Sequence, residues 1–109
     1  MTTHPMIFVN LPVADIAVSR TFWSTLGYSF NEQFSDDNAL CLMFSDSIFA
    51  MLLQRDFFQT FTDKPVADAR SSAQVLNGLA MTSRAEVDAL VDAAVAAGAT
   101  EPQAESERI

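Results

Sequence analysis

Apolar and polar positions change rhythm several times along the chain. Ile7-Phe8-Val9-Asn10-Leu11-Pro12-Val13 puts Val9, Leu11 and Val13 on one face and predicts a strand. Pro12 lacks a ladder donor, so that end belongs at an edge or a bend. Asp15 can cap a helix, and the apolar residues switch to fourfold spacing at Val18, Phe22 and Leu26, with Trp23 beside them. Gly27 suits a left-handed helix stop. Three short strands are predicted next: Tyr28–Phe34, Ala39–Phe44 and Ile48–Leu53. The turns Ser35-Asp36-Asp37-Asn38 and Ser45-Asp46-Ser47 separate them.

Residues 56–70 carry little periodicity and read as a connecting loop, with a helical turn around Phe57-Phe58. Gln74–Met81 reads as a further strand. Ser83 and Glu86 have the spacing of a capping box and open a helix through Val87, Leu90, Val91 and Ala94 to Gly98. The tail from Ala99 is mostly polar and predicts no element. Laying Leu11 on Leu79 also lays Val13 on Met81 and Asp15 on Ser83, so the strand, capped helix and glycine stop recur.

Composition narrows the classes. Half of the 109 residues are hydrophobic, nine of them Phe, which is enough to build a core and excludes wholesale disorder. No run approaches the ~20 apolar residues of a membrane span. The net charge of −8 repels a phosphate backbone, so neither nucleic acid nor membrane is an expected partner. A single cysteine, Cys41, and an N-terminus without a basic or apolar stretch predict a cytoplasmic protein.

Val9-Asn10-Leu11-Pro12-Val13-Ala14-Asp15, then Ser19-Arg20-Thr21-Phe22-Trp23 and Leu26-Gly27-Tyr28, resembles the opening of the glyoxalase / bleomycin-resistance / dioxygenase (vicinal oxygen chelate) superfamily. The resemblance is strong over residues 7–54 and weaker over 72–98. It implies an α+β fold: one βαβββ module, residues 6–54, a linker 55–71 and a second, incomplete βα module, residues 72–109, within a single domain. A full second module takes three more strands, about 25 to 35 residues at ordinary strand and turn lengths. Only eleven residues follow Gly98.

The resemblance also implies where a divalent metal is held. In this sequence those positions are Phe8, a site near Met51, and Leu76, none of which suits a hard or borderline ion. No metal and no cofactor are therefore expected. The cavity face of the first strand carries Phe8 and Asn10. With Met51, and with Gln54 and Arg55 at the rim, these are the candidate ligand-binding residues. His4 and Cys41 lack the partners that metal binding or nucleophilic catalysis needs. Met43, Met51 and Met81 read as core filler.

The expected function is a small organic molecule held in a sheet-lined cavity without metal. A metal-dependent lyase or dioxygenase of the same superfamily is one alternative, and a ligand-free dimerisation module another. Catalysis is left open. A homodimer is expected, because the strand at Gln74–Met81 has few partners within the chain.

Overall fold

The computed structural model describes residues 1–101. The residues up to Ala67 form one compact unit and those from Asp68 onward another.

The first unit is a βαβββ module. Its elements are β1 (Ile7–Val13), α1 (Ile16–Thr25), β2 (Ser29–Phe30), β3 (Ala39–Met43), β4 (Ile48–Gln54) and a short α2 (Arg55–Gln59). The sheet runs β1-β4-β3-β2, with β1 parallel to β4 and the other pairs antiparallel. Parallel pairing requires a crossover, which α1 supplies. Pro12 accordingly sits on an edge strand.

Strand alternation divides the sheet into two faces. Leu11 and Val13 of β1, Leu40 and Leu42 of β3, and Ala50 and Leu52 of β4 join Ile16 of α1 in the core. The opposite face follows the register Phe8–Phe49–Met43, Asn10–Met51–Cys41 and Pro12–Leu53–Ala39 across β1, β4 and β3.

Local chemistry fixes the ends of α1. The Asp15 carboxylate accepts the backbone N–H of Ala17 at 2.9 Å and of Val18 at 3.4 Å. At the far end Gly27 takes φ +91°. Its N–H donates to Ser24 and that of Tyr28 to Trp23, a Schellman motif. The Tyr28 ring packs edge-on to Trp23 at 5.2 Å. The core stripe of this helix is Ile16 and Trp23, rotated from the Val18-Phe22-Leu26 line. Val18 is exposed and Phe22 half-buried. Trp23 reaches both Tyr28 and Phe44, and the larger ring decides which side faces the sheet.

The strand predicted over Tyr28–Phe34 keeps only two ladder residues. Asn31 diverts it by accepting the Gln33 N–H at 3.0 Å, which starts a 3-10 turn over Glu32–Phe34. The Ser35 hydroxyl donates to the Asn31 carbonyl at 2.7 Å and accepts the Cys41 N–H at 3.0 Å. The two predicted polar turns are present, held by the Asp36 carboxylate and the Ser45 hydroxyl.

In the second unit, α3 (Arg84–Ala96) starts where predicted. Ser83 accepts the Glu86 N–H at 3.1 Å, and the Glu86 carboxylate takes the Thr82 hydroxyl. Gly98, at φ +115°, ends it in a second Schellman motif. Val87, Leu90, Val91 and Ala94 form its half-buried face. The predicted strand Gln74–Met81 is absent: the segment is exposed throughout and pairs with no described strand. Strand-forming side chains do not make a strand without a ladder partner. The second unit is thus a capped helix behind an unpaired segment, and the tail predicted after Gly98 lies outside the described residues beyond 101. No helix among the described residues is long and apolar enough to cross a membrane.

Candidate functional site

The sheet face opposite α1 carries a cleft of about 400 Å³, lined by Asn10, Leu53, Phe58, Phe61 and Thr62. Each lining residue arrives for a local reason. Asn10 occupies an outward position of the edge strand. Leu53, only 4% exposed, forms the floor near the end of β4. The chain then turns directly into α2, and Phe58 and Phe61, three residues apart on that turn, form the aromatic wall. Phe61 packs edge-on to Phe57 at 5.2 Å, yet is 69% exposed.

Asn10 is the polar group of this cleft with bonding capacity left over. Its Nδ2 makes a long 3.3 Å bond to the Phe8 carbonyl on its own strand. That contact orients the carboxamide, because a carbonyl attracts the amide nitrogen and repels its oxygen. Among the described residues Oδ1 accepts nothing. Thr62 is committed in part: its hydroxyl oxygen accepts the Lys64 N–H at 3.1 Å.

The five candidates read from the sequence divide into two groups. Phe8, Asn10 and Met51 share the cleft face. Phe8 stacks on Phe49 with ring centroids 4.8 Å apart and planes 10° apart, two residues along the strand from Asn10. Met51 lies opposite Asn10, half-buried.

Gln54 and Arg55 are not at the cleft but hold backbone. Gln54 falls on the α1 side of the sheet. Its Oε1 accepts the Ile16 N–H at 3.1 Å and its Nε2 donates to the Ala14 carbonyl, tying the end of β4 to the start of α1. The Arg55 guanidinium donates to the carbonyls of Val66 and, at 3.1 Å, Ala67. It thereby closes the loop that follows the aromatic wall.

Sequence reading missed Leu53, Phe58, Phe61 and Thr62. The available signal was the cluster Phe57-Phe58-Phe61 directly after an apolar strand. Three phenylalanines in a polar, aperiodic segment need something to cover.

Hard-metal chemistry has no donors at the implied positions. Phe8 is stacked on Phe49, Met51 offers a thioether, and Leu76 is 92% exposed in the unpaired segment. No group of three His, Cys, Asp or Glu side chains gathers among the described residues. Burial pushes the Cys41 thiol above its ordinary range, which opposes a thiolate role.

The fold has counterparts among known proteins. Residues 6–45 match the family model described as bleomycin resistance protein-like N-terminal. No curated protein matches the sequence. A solved hypothetical protein of S. aureus is similar in fold, with a TM-score of 0.71 and 22% identity, over 89% of this chain and 72% of that one. A glyoxalase/bleomycin resistance protein/dioxygenase family enzyme from Burkholderia phytofirmans gives a TM-score of 0.59 and 19% identity, over 84% and 71%.

Proposed function

From its place in the glyoxalase/bleomycin-resistance/dioxygenase superfamily, which the family model and the shared fold support, we propose that the chain binds a small organic molecule. The binding place is the sheet-lined cleft, and it works without a metal. The observation that carries this reading is the cleft itself: about 400 Å³, floored by Leu53, walled by Phe58 and the largely exposed Phe61 ring, with the partly bonded Asn10 carboxamide. Ligand sites are commonly apolar concavities with a few convergent polar groups. Phe8, stacked on the buried Phe49, and the half-buried Met51 extend the apolar surface along the sheet. Rings and a thioether adapt to varied occupants.

A thermal-shift screen of planar aromatic compounds tests this. A bound compound raises the unfolding midpoint by mass action. The rise is expected in wild type, unchanged by EDTA and lost in Phe61→Ser. A rise abolished by EDTA and restored by a divalent ion would instead support a metal-dependent lyase or dioxygenase.

One observation supports a second, compatible reading, a homodimer. Among the described residues β1 is a sheet edge, and Met6 just before it and Ile7 and Phe8 on it are about half exposed. A twofold axis would pair this edge with its copy.

A further inference from the structure

We infer that the cleft selects a neutral, planar ring bearing a cyclic-amide edge, a lactam-type heterocycle, read by the Asn10 carboxamide. This rests on the proposal that the cleft is the ligand site and adds what kind of molecule fits it.

The first argument is hydrogen bonding. Asn10 is held by one long bond from Nδ2 to the Phe8 carbonyl. That leaves its second N–H and both lone pairs of Oδ1 without partners among the described residues. With the N–H anti to Oδ1 on the Phe8 carbonyl, the syn N–H and Oδ1 lie side by side as one donor and one acceptor. The complementary partner is an acceptor beside a donor in the same plane, as in a ring N–H–C=O. Asparagine reads the edge of adenine by the same bidentate geometry.

The second argument is shape. The Leu53 floor and the Phe58 and Phe61 wall are apolar and aromatic, and the exposed Phe61 ring gains cover when a flat ring lies against it.

The third argument is charge, which rules against anions. Among the described residues no Lys or Arg lines the cleft. The nearest arginine in sequence to the aromatic wall, Arg55, is committed to the Val66 and Ala67 carbonyls. Arg20 is held by Glu32 through two bonds of 2.8 and 2.9 Å. The chain carries a net charge of −8. Lys64 stands three residues beyond Phe61 but does not line the cleft, so among the described lining residues an anionic ligand would lose its hydration without gaining a cation.

Calorimetric titration with three bicyclic probes tests the inference. 2-Quinolone carries the lactam edge, 2-methoxyquinoline masks its N–H in a ring system of the same size, and 1-naphthoate is an anion of similar shape. Wild type is expected to bind 2-quinolone about tenfold more tightly than 2-methoxyquinoline, the worth of one hydrogen bond. Asn10→Leu, at an exposed strand position, should keep the fold by circular dichroism and bind both about equally. Equal affinities in wild type overturn the edge reading while leaving the cleft as the binding site. Tightest binding by 1-naphthoate overturns the charge argument and with it the ligand class. Binding of none of the three at millimolar concentration overturns both the site and this inference.

Discussion

Two neighbouring aromatic residues on α1 do different work. Trp23 packs edge-on to Tyr28 at 5.2 Å and to Phe44 at 6.0 Å, and so joins the helix to the sheet. Phe22 is half-buried and meets Trp23 edge-on from outside that cluster. Trp23→Ala should cost roughly 3–5 kcal/mol in urea unfolding, and Phe22→Ala about half as much, since Trp23 packs on the core cluster and Phe22 does not. A larger loss for Phe22 would place the helix face one residue off. Cys41 and Tyr28 make a second residue-scale point. Burial raises the titration range of both, and for Cys41 the Asn31 backbone pulls weakly the other way. The folded state favours their neutral forms, so their contribution is intact at neutral pH. It is lost as pH climbs past the unfolded values, about 8.5 for a thiol and about 10 for a phenol. Urea midpoints should fall between pH 8 and 10, less steeply in Cys41→Ala. Iodoacetamide should modify Cys41, which has no exposed surface, only at the rate of unfolding. The exposed Arg20–Glu32 pair runs in the opposite direction: Glu32 is lowered by its hydrogen bonds to Arg20, and that support goes as pH falls through the carboxylate range.

At the scale of elements, what the sequence predicts well is what a few adjacent residues decide. Asp15 and Ser83 cap their helices, and Gly27 and Gly98 end them in the same motif. Asp15→Ala and Ser83→Ala should each cost about 1 kcal/mol, read as loss of helicity and of the urea midpoint. What sequence reading got wrong depends on distant partners. Gln74–Met81 reads as a strand, but its residues do not say which edge pairs with it, and none does among the described residues. The strand through Tyr28–Phe34 fails because the Asn31 and Ser35 side chains offer its backbone a better local turn. The candidate site follows the same division. Phe8, Asn10 and Met51 share a face because alternation with period two fixes it. Gln54 and Arg55 looked available because nothing local shows that one bonds Ala14 and Ile16 and the other Val66 and Ala67. Gln54→Leu should therefore destabilise the first unit by about 1–3 kcal/mol, the cost of leaving a part-buried N–H unpaired, without changing ligand affinity. A loss of affinity with stability intact would return Gln54 to the site.

At the scale of the whole molecule the open question is what meets β1. Its other side pairs with β4 along seven residues, and among the described residues no strand pairs with its outer side, beside Met6, Ile7 and Phe8. Natural sheets guard such edges with charge, proline or brevity. Here Pro12 guards one end, and the stretch Met6–Val9 has no charged residue. That asymmetry is the argument for a second copy as the occupant. Two such stretches brought together by a twofold axis run antiparallel, each offering its unguarded end to the other, away from Pro12. The charge of −8 on each chain opposes association only over the screening length, about 8 Å at physiological salt. The dimer should therefore tighten as salt rises. Light scattering at micromolar concentration is expected to give twice the 11.9 kDa chain mass. Ile7→Lys puts a charge on the unguarded stretch at a half-exposed position and should return the mass to that of one chain with the fold intact. A wild-type mass of one chain at every concentration and salt would remove the second copy as the partner of this edge. A dimer that persists in Ile7→Lys would move the interface elsewhere.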